Sequence, residues 1–350
     1  MNESLRVKRR APLQGSIFLI LFGLIWTGVT AGLDYNFGRN IFKQIQAHSF
    51  PTTQGKIIHV ALEKRNARKS ETYIPVIRFA YEVNGRSYTS EKFRFDHGPS
   101  SSRSYSRRIV AENPKDSTAL VYYNPNNPGE GILYPGIDGS DLFVLMFMLP
   151  FNLIAFGILF ALVGSFIRKD RNEETGGIPA ASVGHDLYVN LSTLGPGMTT
   201  LIYFGFATLG TLFAVAVLSG IYPSTRAGVI GWIFILTSSL AMYVRQRYRF
   251  RNFLDHLLIQ RQKGSIRLPL SYGRKKLVSI PLPAVQQIEM RNEKTRDSRN
   301  RENEKWSIHL HHIEQGQERI EKLYEFHDQA KATAFTAWLR FNLGLERNRT

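Results

Sequence analysis

Four stretches of this chain lack Asp, Glu, Lys, Arg and His and are long enough to cross a bilayer as helices: Gly15–Leu33, Leu142–Ile167, Thr199–Tyr222 and Ala227–Val244. A helix rises about 1.5 Å per residue, so about 20 apolar residues cross the hydrocarbon. One such run can be a buried helix of a soluble core, but four in 350 residues point to a membrane protein. The average composition conceals them, because it blends very apolar blocks with very basic ones.

The first run follows Arg6, Lys8, Arg9 and Arg10, and Val29-Thr30-Ala31 has the small residues of a signal-peptide cleavage site. Its apolar stretch exceeds the core of roughly 7–15 residues usual for a signal, so retention as an anchor is expected. Lys and Arg in short flanks set orientation. They crowd residues 1–13, the start of the 168–198 loop (Arg168, Lys169, Arg171) and the end of the fourth run (Arg245, Arg247, Arg249, Arg251), whereas the turn between runs three and four has only Arg226. Both termini and the 168–198 loop are therefore expected in the cytoplasm. Residues 34–141 and the short 223–226 loop are expected outside, since long domains translocate largely regardless of charge.

After the first run, Phe37, Ile41, Phe42 and Ile45 suggest a short amphipathic helix ended by Pro51. The pattern then turns to strands. Thr53–Leu62 is one. Tyr73–Val83 places Ile77, Phe79, Tyr81 and Val83 on one face, and Asn84-Gly85 is a strong two-residue hairpin signal leading into Arg86–Phe95. Ser100–Glu112 reads as a short helix, and Thr118–Tyr123 and Gly131–Tyr134 as further strands. The expected result is a small antiparallel sheet of about five strands, curled into a sandwich or half-barrel.

Three motifs here carry a family resemblance: Gly55-x-Ile57; Pro75-Val76-Ile77-x-Phe79-x-Tyr81-x-Val83-Asn84-Gly85-x-x-Tyr88; and Val121-Tyr122-Tyr123-Asn124-Pro125-x-x-Pro128. Over roughly residues 15–167 the chain resembles the domain of unknown function 3592 family, found in bacterial membrane proteins. The resemblance implies an envelope location, here the bacterial inner membrane with both termini cytoplasmic, and a helix, β-domain, helix arrangement. It supplies no catalytic residues.

The tail from Arg245 holds 22 Lys/Arg against 12 Asp/Glu, more than half of the net charge of +17. Ile266–Tyr272, Lys276–Pro281 and Val285–Met290 read as strands, Arg291–Glu304 as a polar loop, and Trp306–Ile313 with Arg319–Phe326 as a hairpin around Gln315-Gly316-Gln317. Asp328 caps a closing helix to about Leu343, with Ala334, Phe335, Trp338, Leu339 and Phe341 on its apolar side. Hairpins closed by a C-terminal helix have the pattern of a pleckstrin-homology-like α+β domain. In that fold Arg245, Arg247, Arg249, Arg251, Arg274, Lys275 and Lys276 would meet anionic lipid headgroups, as would Arg261, Lys263 and Arg267. Ordinary positive-inside residues on a solvated surface are the plainer reading, and nucleic acid is not an expected partner.

Chemistry-bearing patterns are sparse. Cysteine is absent, which excludes disulfides and thiolate metal sites. His309 and His311 share a strand face at a spacing that can bind metal, but with no Asp or Cys beside them they are expected to point to water. Ser100–Ser102 lacks a nucleophile context, and Gly176-Gly177 and Gly195-Pro196-Gly197 lack the Lys-Ser/Thr of a phosphate loop. No metal and no cofactor are expected. The spans carry no ionisable residue, the usual mark of a transport pathway; Asn152 beside Pro150 reads as a satisfied kink. Gly28-x-x-x-Gly32 is a helix-packing spacing, usable within the chain or between copies.

The expected protein is therefore a non-enzymatic envelope scaffold, sensor or accessory protein with four transmembrane helices, an outer β-domain and a basic cytoplasmic domain, each domain binding an unknown protein partner. A transporter or channel subunit, its path lined by Asn152, Ser238 and Ser239, is the alternative. A membrane-bound hydrolase is the next.

Overall fold

The computed structural model describes residues 13–67, 70–95, 103–167, 175–192, 194–296 and 302–345. Arg6, Lys8, Arg9, Arg10, His97, Ser100–Ser102, Arg168, Lys169 and Arg171 lie outside them. The chain divides into two compact units, Met1–Ser165 with Tyr203–Ser239, and Phe166–Ile202 with Leu240–Thr350.

The first unit opens with helix α1, Leu13–Ala47, which runs on unbroken where a second, separate amphipathic helix was expected. Strands β1 (Thr52–Ala67), β2 (Ser70–Val83) and β3 (Arg86–Ser90) follow, then α2 (Arg103–Glu112), β4 (Thr118–Asn124) and β5 (Asn127–Ile132). They form one antiparallel sheet in the order β3-β2-β1-β4-β5. The β2–β3 turn is Asn84-Gly85, both at positive φ (52° and 75°), as a tight hairpin of matching twist requires. Ile77, Phe79, Tyr81 and Val83 are all buried, with Ile57, Phe93, Ile109, Val121 and Leu133 completing the core. The sheet curls until its two edges meet: Ser90 Oγ on β3 donates to the Gly131 carbonyl on β5 at 2.8 Å. Gly131 must be glycine, because a Cβ there would sit 2.6 Å from the Tyr81 hydroxyl and 2.9 Å from Val121.

Helices α3 (Gly139–Ile167), α4 (Pro196–Ser219) and α5 (Thr225–Arg251) are long and apolar enough to cross a membrane, α3 through Gly139–Phe160. In the first unit, α5 packs through small residues. A Cβ on Gly228 would lie 3.0 Å from Leu142, and one on Gly231 would lie 3.0 Å from Met146 and 3.1 Å from Thr211. Trp232 Nε1 donates to the Leu142 carbonyl at 3.1 Å.

The second unit begins with a hairpin inside the expected 168–198 loop: β6 (Ala180–Val183) and β7 (Asp186–Asn190). β7 pairs with β8 (His256–Gln260), across the whole α4–α5 pair, and β9 (Ser265–Leu268) and β10 (Val278–Pro281) complete a sheet in the order β10-β9-β8-β7-β6. A second sheet, β11 (Val285–Arg296), β12 (Glu302–Glu314) and β13 (Gln317–Phe326), is closed by α6 (Gln329–Asn342). Asp328 caps α6, accepting from the Ala330 and Lys331 amides. The two sheets and α6 share one core of Leu257, Ile259, Ile266, Leu268, Ile308, Leu310, Phe335 and their neighbours. Phe341, expected in that core, is 72% exposed. Most of the expected polar loop Arg291–Glu304 is instead strand, because the register sets Glu293 opposite Lys305, Lys294 opposite Glu304 and Arg296 opposite Glu302. Alternating opposite charges stabilise a ladder without burial.

Candidate functional site

The most heavily built polar site of the first unit lies where the β-domain joins the helices. After β3 the chain crosses to the start of α3, and the Phe93 carbonyl accepts from the Leu133 and Tyr134 amides at 3.1 and 3.0 Å. This crossing carries Arg94 inward until its side chain is only 7% exposed. Its guanidinium meets Asp141 at 2.6 Å and Asp138 at 3.1 Å. With its amide oxygen turned toward the arginine, Gln44 of α1 accepts from Nη2 at 2.7 Å and Nε at 3.0 Å. The two aspartates also start α3. Asp138 accepts from the amides of Ser140 (2.8 Å) and Asp141 (3.2 Å), while Asp141 accepts from the Asp138 amide at 2.8 Å. That is a reciprocal capping box. One arginine thus holds the β-domain, α1 and the α3 N-terminus together. Lys43 of α1 adds an ion pair with Glu130 at 3.1 Å. Burial pushes the Glu130 carboxyl up, but hydrogen bonds from Asn124 and Lys43 and the nearby lysine charges outweigh it and leave it below the ordinary range.

The Val121–Pro128 run serves the same architecture. Val121 is buried, the Asn124 side chain accepts from the Asn126 amide at 3.0 Å, and the Pro128 carbonyl accepts from the Tyr81 hydroxyl at 2.8 Å. Residues 53–138 match the model of the family described as Domain of unknown function (DUF3592). The match takes in about a quarter of the chain, from β1 to the capping Asp138, and stops short of the flanking helices that the sequence resemblance included. No curated protein and no solved structure matches the chain.

The DUF3592 segment therefore ends on the arginine knot, and a polar seam continues from it between α1 and α3. The Trp26 indole donates to the Phe151 carbonyl at 3.2 Å, and Asn152 Nδ2 donates to Asp34 Oδ1 at 3.1 Å and to the Met148 carbonyl at 3.3 Å. Asp34 stands one residue beyond the first apolar run, but α1 and α3 bring it level with a residue ten positions inside the second. The four runs themselves hold no Asp, Glu, Lys, Arg or His; the charged partner of Asn152 comes from just outside the first of them. Among the described residues of the first unit a Cβ on Gly28 or Gly32 would meet nothing within 4 Å. Among the described residues of that unit the close helix contacts are made instead at Gly228 and Gly231.

In the second unit, Arg245, Arg247, Arg251, Lys275 and Lys276 are exposed. Arg249 pairs with Asp255 at 2.5 Å and donates to the Leu270 carbonyl at 3.1 Å. Arg274, expected at a lipid surface, is withdrawn from it: 7% exposed, it binds Glu321 (2.9 Å), the Lys322 carbonyl (2.8 Å) and the Pro269 carbonyl (2.9 Å). His311 is also corrected. Its two ring nitrogens face Glu289 and Glu318, each at 2.7 Å, and the residue is 5% exposed, not open to water. Among the described residues no three His, Asp or Glu side chains converge as a metal site. Sequence reasoning passed over Arg94, Asp138 and Asp141; the signal available was Asp138-x-x-Asp141 just before an apolar run.

Proposed function

We propose that the protein is a non-enzymatic, multi-pass scaffold or sensor of the bacterial inner membrane that couples an outer DUF3592 domain to its membrane helices. The arginine knot carries this reading. A domain merely tethered outside a membrane needs no buried guanidinium between two carboxylates, a costly arrangement whose use is to fix geometry. Here it fixes the β-domain to α1 and α3 together, so a partner bound to that domain would act on both helices.

The proposed topology has four spans, the fourth being Gly15–Leu33 within α1, with both termini cytoplasmic. Two pairings support it. β7 and β8 lie on either side of the α4–α5 pair, so those segments share one side. Tyr105 of the β-domain stacks on Tyr222 beside the α4–α5 turn at 4.3 Å, so those two also share a side. The lysine and arginine flanks assign the first pair to the cytoplasm. The two-sheet, C-terminal-helix arrangement supports a pleckstrin-homology-like cytoplasmic domain. Crosslinking in cells should capture a partner through the β-domain, and Arg94→Ala should weaken that capture; equal capture by both proteins counts against coupling. A periplasm-dependent reporter fused after Asn127 should be active, and an inactive one sinks the orientation.

The Asp34–Asn152 pair favours a transporter subunit as the second reading, since it lies about 15 Å along α3 from Leu142, near the middle of a hydrocarbon layer about 30 Å thick. Transport that vanishes in Asp34→Asn would move this reading to the front.

A further inference from the structure

We propose that the second unit holds the headgroup of one anionic phospholipid, a phosphate-linked polyol, in the cavity beside Arg249. The proposal deepens the membrane reading above and rests on it. The half-open cavity measures about 490 Å³ and is lined by Ser192, Thr199, Gln246, Arg249, Tyr272 and Tyr324, with others. That volume is within the range of small-ligand sites, roughly 300–1,000 Å³.

Its place along the helices is the first argument. Thr199 is the first residue of the apolar run on α4, and Gln246 lies two residues beyond the last apolar residue, Val244, on α5. The cavity therefore opens where hydrocarbon ends and headgroups begin. The second argument is Arg249. Its Nε and Nη2 are fixed by Asp255 and the Leu270 carbonyl, bonds that leave Nη1 unused. A guanidinium already held in place is a pre-organised donor for a phosphate oxygen, through a charge-assisted hydrogen bond.

The lining also discriminates among headgroups. Two carboxylates reach the cavity, but Asp255 is bound to Arg249, and Glu325 is bound to Lys305 at 2.7 Å and Lys322 at 3.0 Å. Neither is free to capture an ammonium, which disfavours an ethanolamine headgroup. The remaining polar lining consists of hydroxyls and an amide, groups that exchange hydrogen bonds with a polyol. Close in sequence to the lining residues Gln246, Arg249 and Tyr272, exposed Arg245, Arg247, Arg251, Lys275 and Lys276 add positive charge to the same unit, which attracts anionic lipid.

The test uses the full chain purified in mild detergent, with lipid binding followed by native mass spectrometry. Wild type should retain one phosphatidylglycerol in preference to phosphatidylethanolamine by about tenfold or more, and soluble glycerol phosphate should compete poorly. Arg249→Gln should abolish the preference. Gln246→Leu, which leaves the Arg249–Asp255 pair intact, should reduce it severalfold and carries the test if the arginine variant misfolds. A combined Arg245→Gln, Arg247→Gln, Arg251→Gln variant should lose loosely bound lipid yet keep the single tight one. Retention of full preference in both cavity variants overturns the proposal, as does its complete loss in the surface variant. Glycerol phosphate binding as tightly as the lipid would assign the cavity to a soluble ligand and overturn the lipid source. A chain that stays soluble without detergent would defeat the membrane reading itself, a failure separate from loss of selectivity in a membrane-embedded protein.

Discussion

Replacing Arg94 with alanine is the most informative perturbation of the fold. The wild-type guanidinium is 7% exposed and neutralises Asp141, itself 4% exposed, and the less buried Asp138. Removing it strands the Asp141 carboxylate and the Gln44 amide oxygen in a site that water does not readily reach, while Asp138, 30% exposed, keeps access to solvent. Breaking a buried pair by deleting one partner costs about 3–5 kcal/mol. For a domain of about 100 residues that corresponds to a fall in Tm on the order of 12 °C or more. Asp141→Asn should cost less, because Arg94 keeps Asp138 and Gln44 while the asparagine oxygen still accepts from the Asp138 amide. In the double variant the two losses should not add, since the second substitution removes a charge already stranded by the first; the coupling should exceed about 1 kcal/mol. Thermal unfolding of the detergent-solubilised chain, followed by tryptophan fluorescence and by protease sensitivity of the β-domain, gives all three values. A shift below 3 °C for Arg94→Ala, or strict additivity in the double variant, would refute the claim that this arginine organises the junction.

Gly131→Ala should destabilise the β-domain by about 1–3 kcal/mol, because its methyl group overlaps the Tyr81 hydroxyl and Val121; the same unfolding assay measures it, and an unchanged Tm would mean that the sheet edges part easily. Glu289 is held near pKa 2, mainly by the hydrogen bond from Arg291 and next by that from His311. A depressed folded pKa means that the contribution to stability is complete above the ordinary value of 4.5 and is lost as pH falls toward about 2. In Arg291→Ala the Glu289 carboxyl should titrate closer to 4.5, as read by carboxyl-carbon NMR.

Much of the local structure was legible because local rules decided it. The alternation through Ile77–Val83, the Asn84-Gly85 turn and the Asp328 cap each depend on a few adjacent residues, and each stands as read. What escaped depends on partners distant in the chain. The segment from Arg291 to Glu304 looks too charged to order until register sets each charge opposite its complement. β6 and β7 look like a loop because their sheet partner, β8, arrives only after two long helices. Arg94 gives no signal of its own, since nothing nearby in sequence predicts that Gln44 and Asp141 will surround it. His311 gives no local signal for the same reason: its two carboxylates come from neighbouring strands.

The pairing of β7 with β8 also orders the events of biosynthesis. A ribosome delivers Asp186–Asn190 well before His256–Gln260, with both helices α4 and α5 still to be made and placed in between. Until then the β6–β7 hairpin is an isolated two-stranded ribbon, which is marginally stable at best in water. In the topology proposed above, closure of the sheet therefore requires that the helical pair return the chain to the side from which it started. A chain in which β8 does not reach β7 keeps an open strand edge, and such an edge is a template for pairing with other chains.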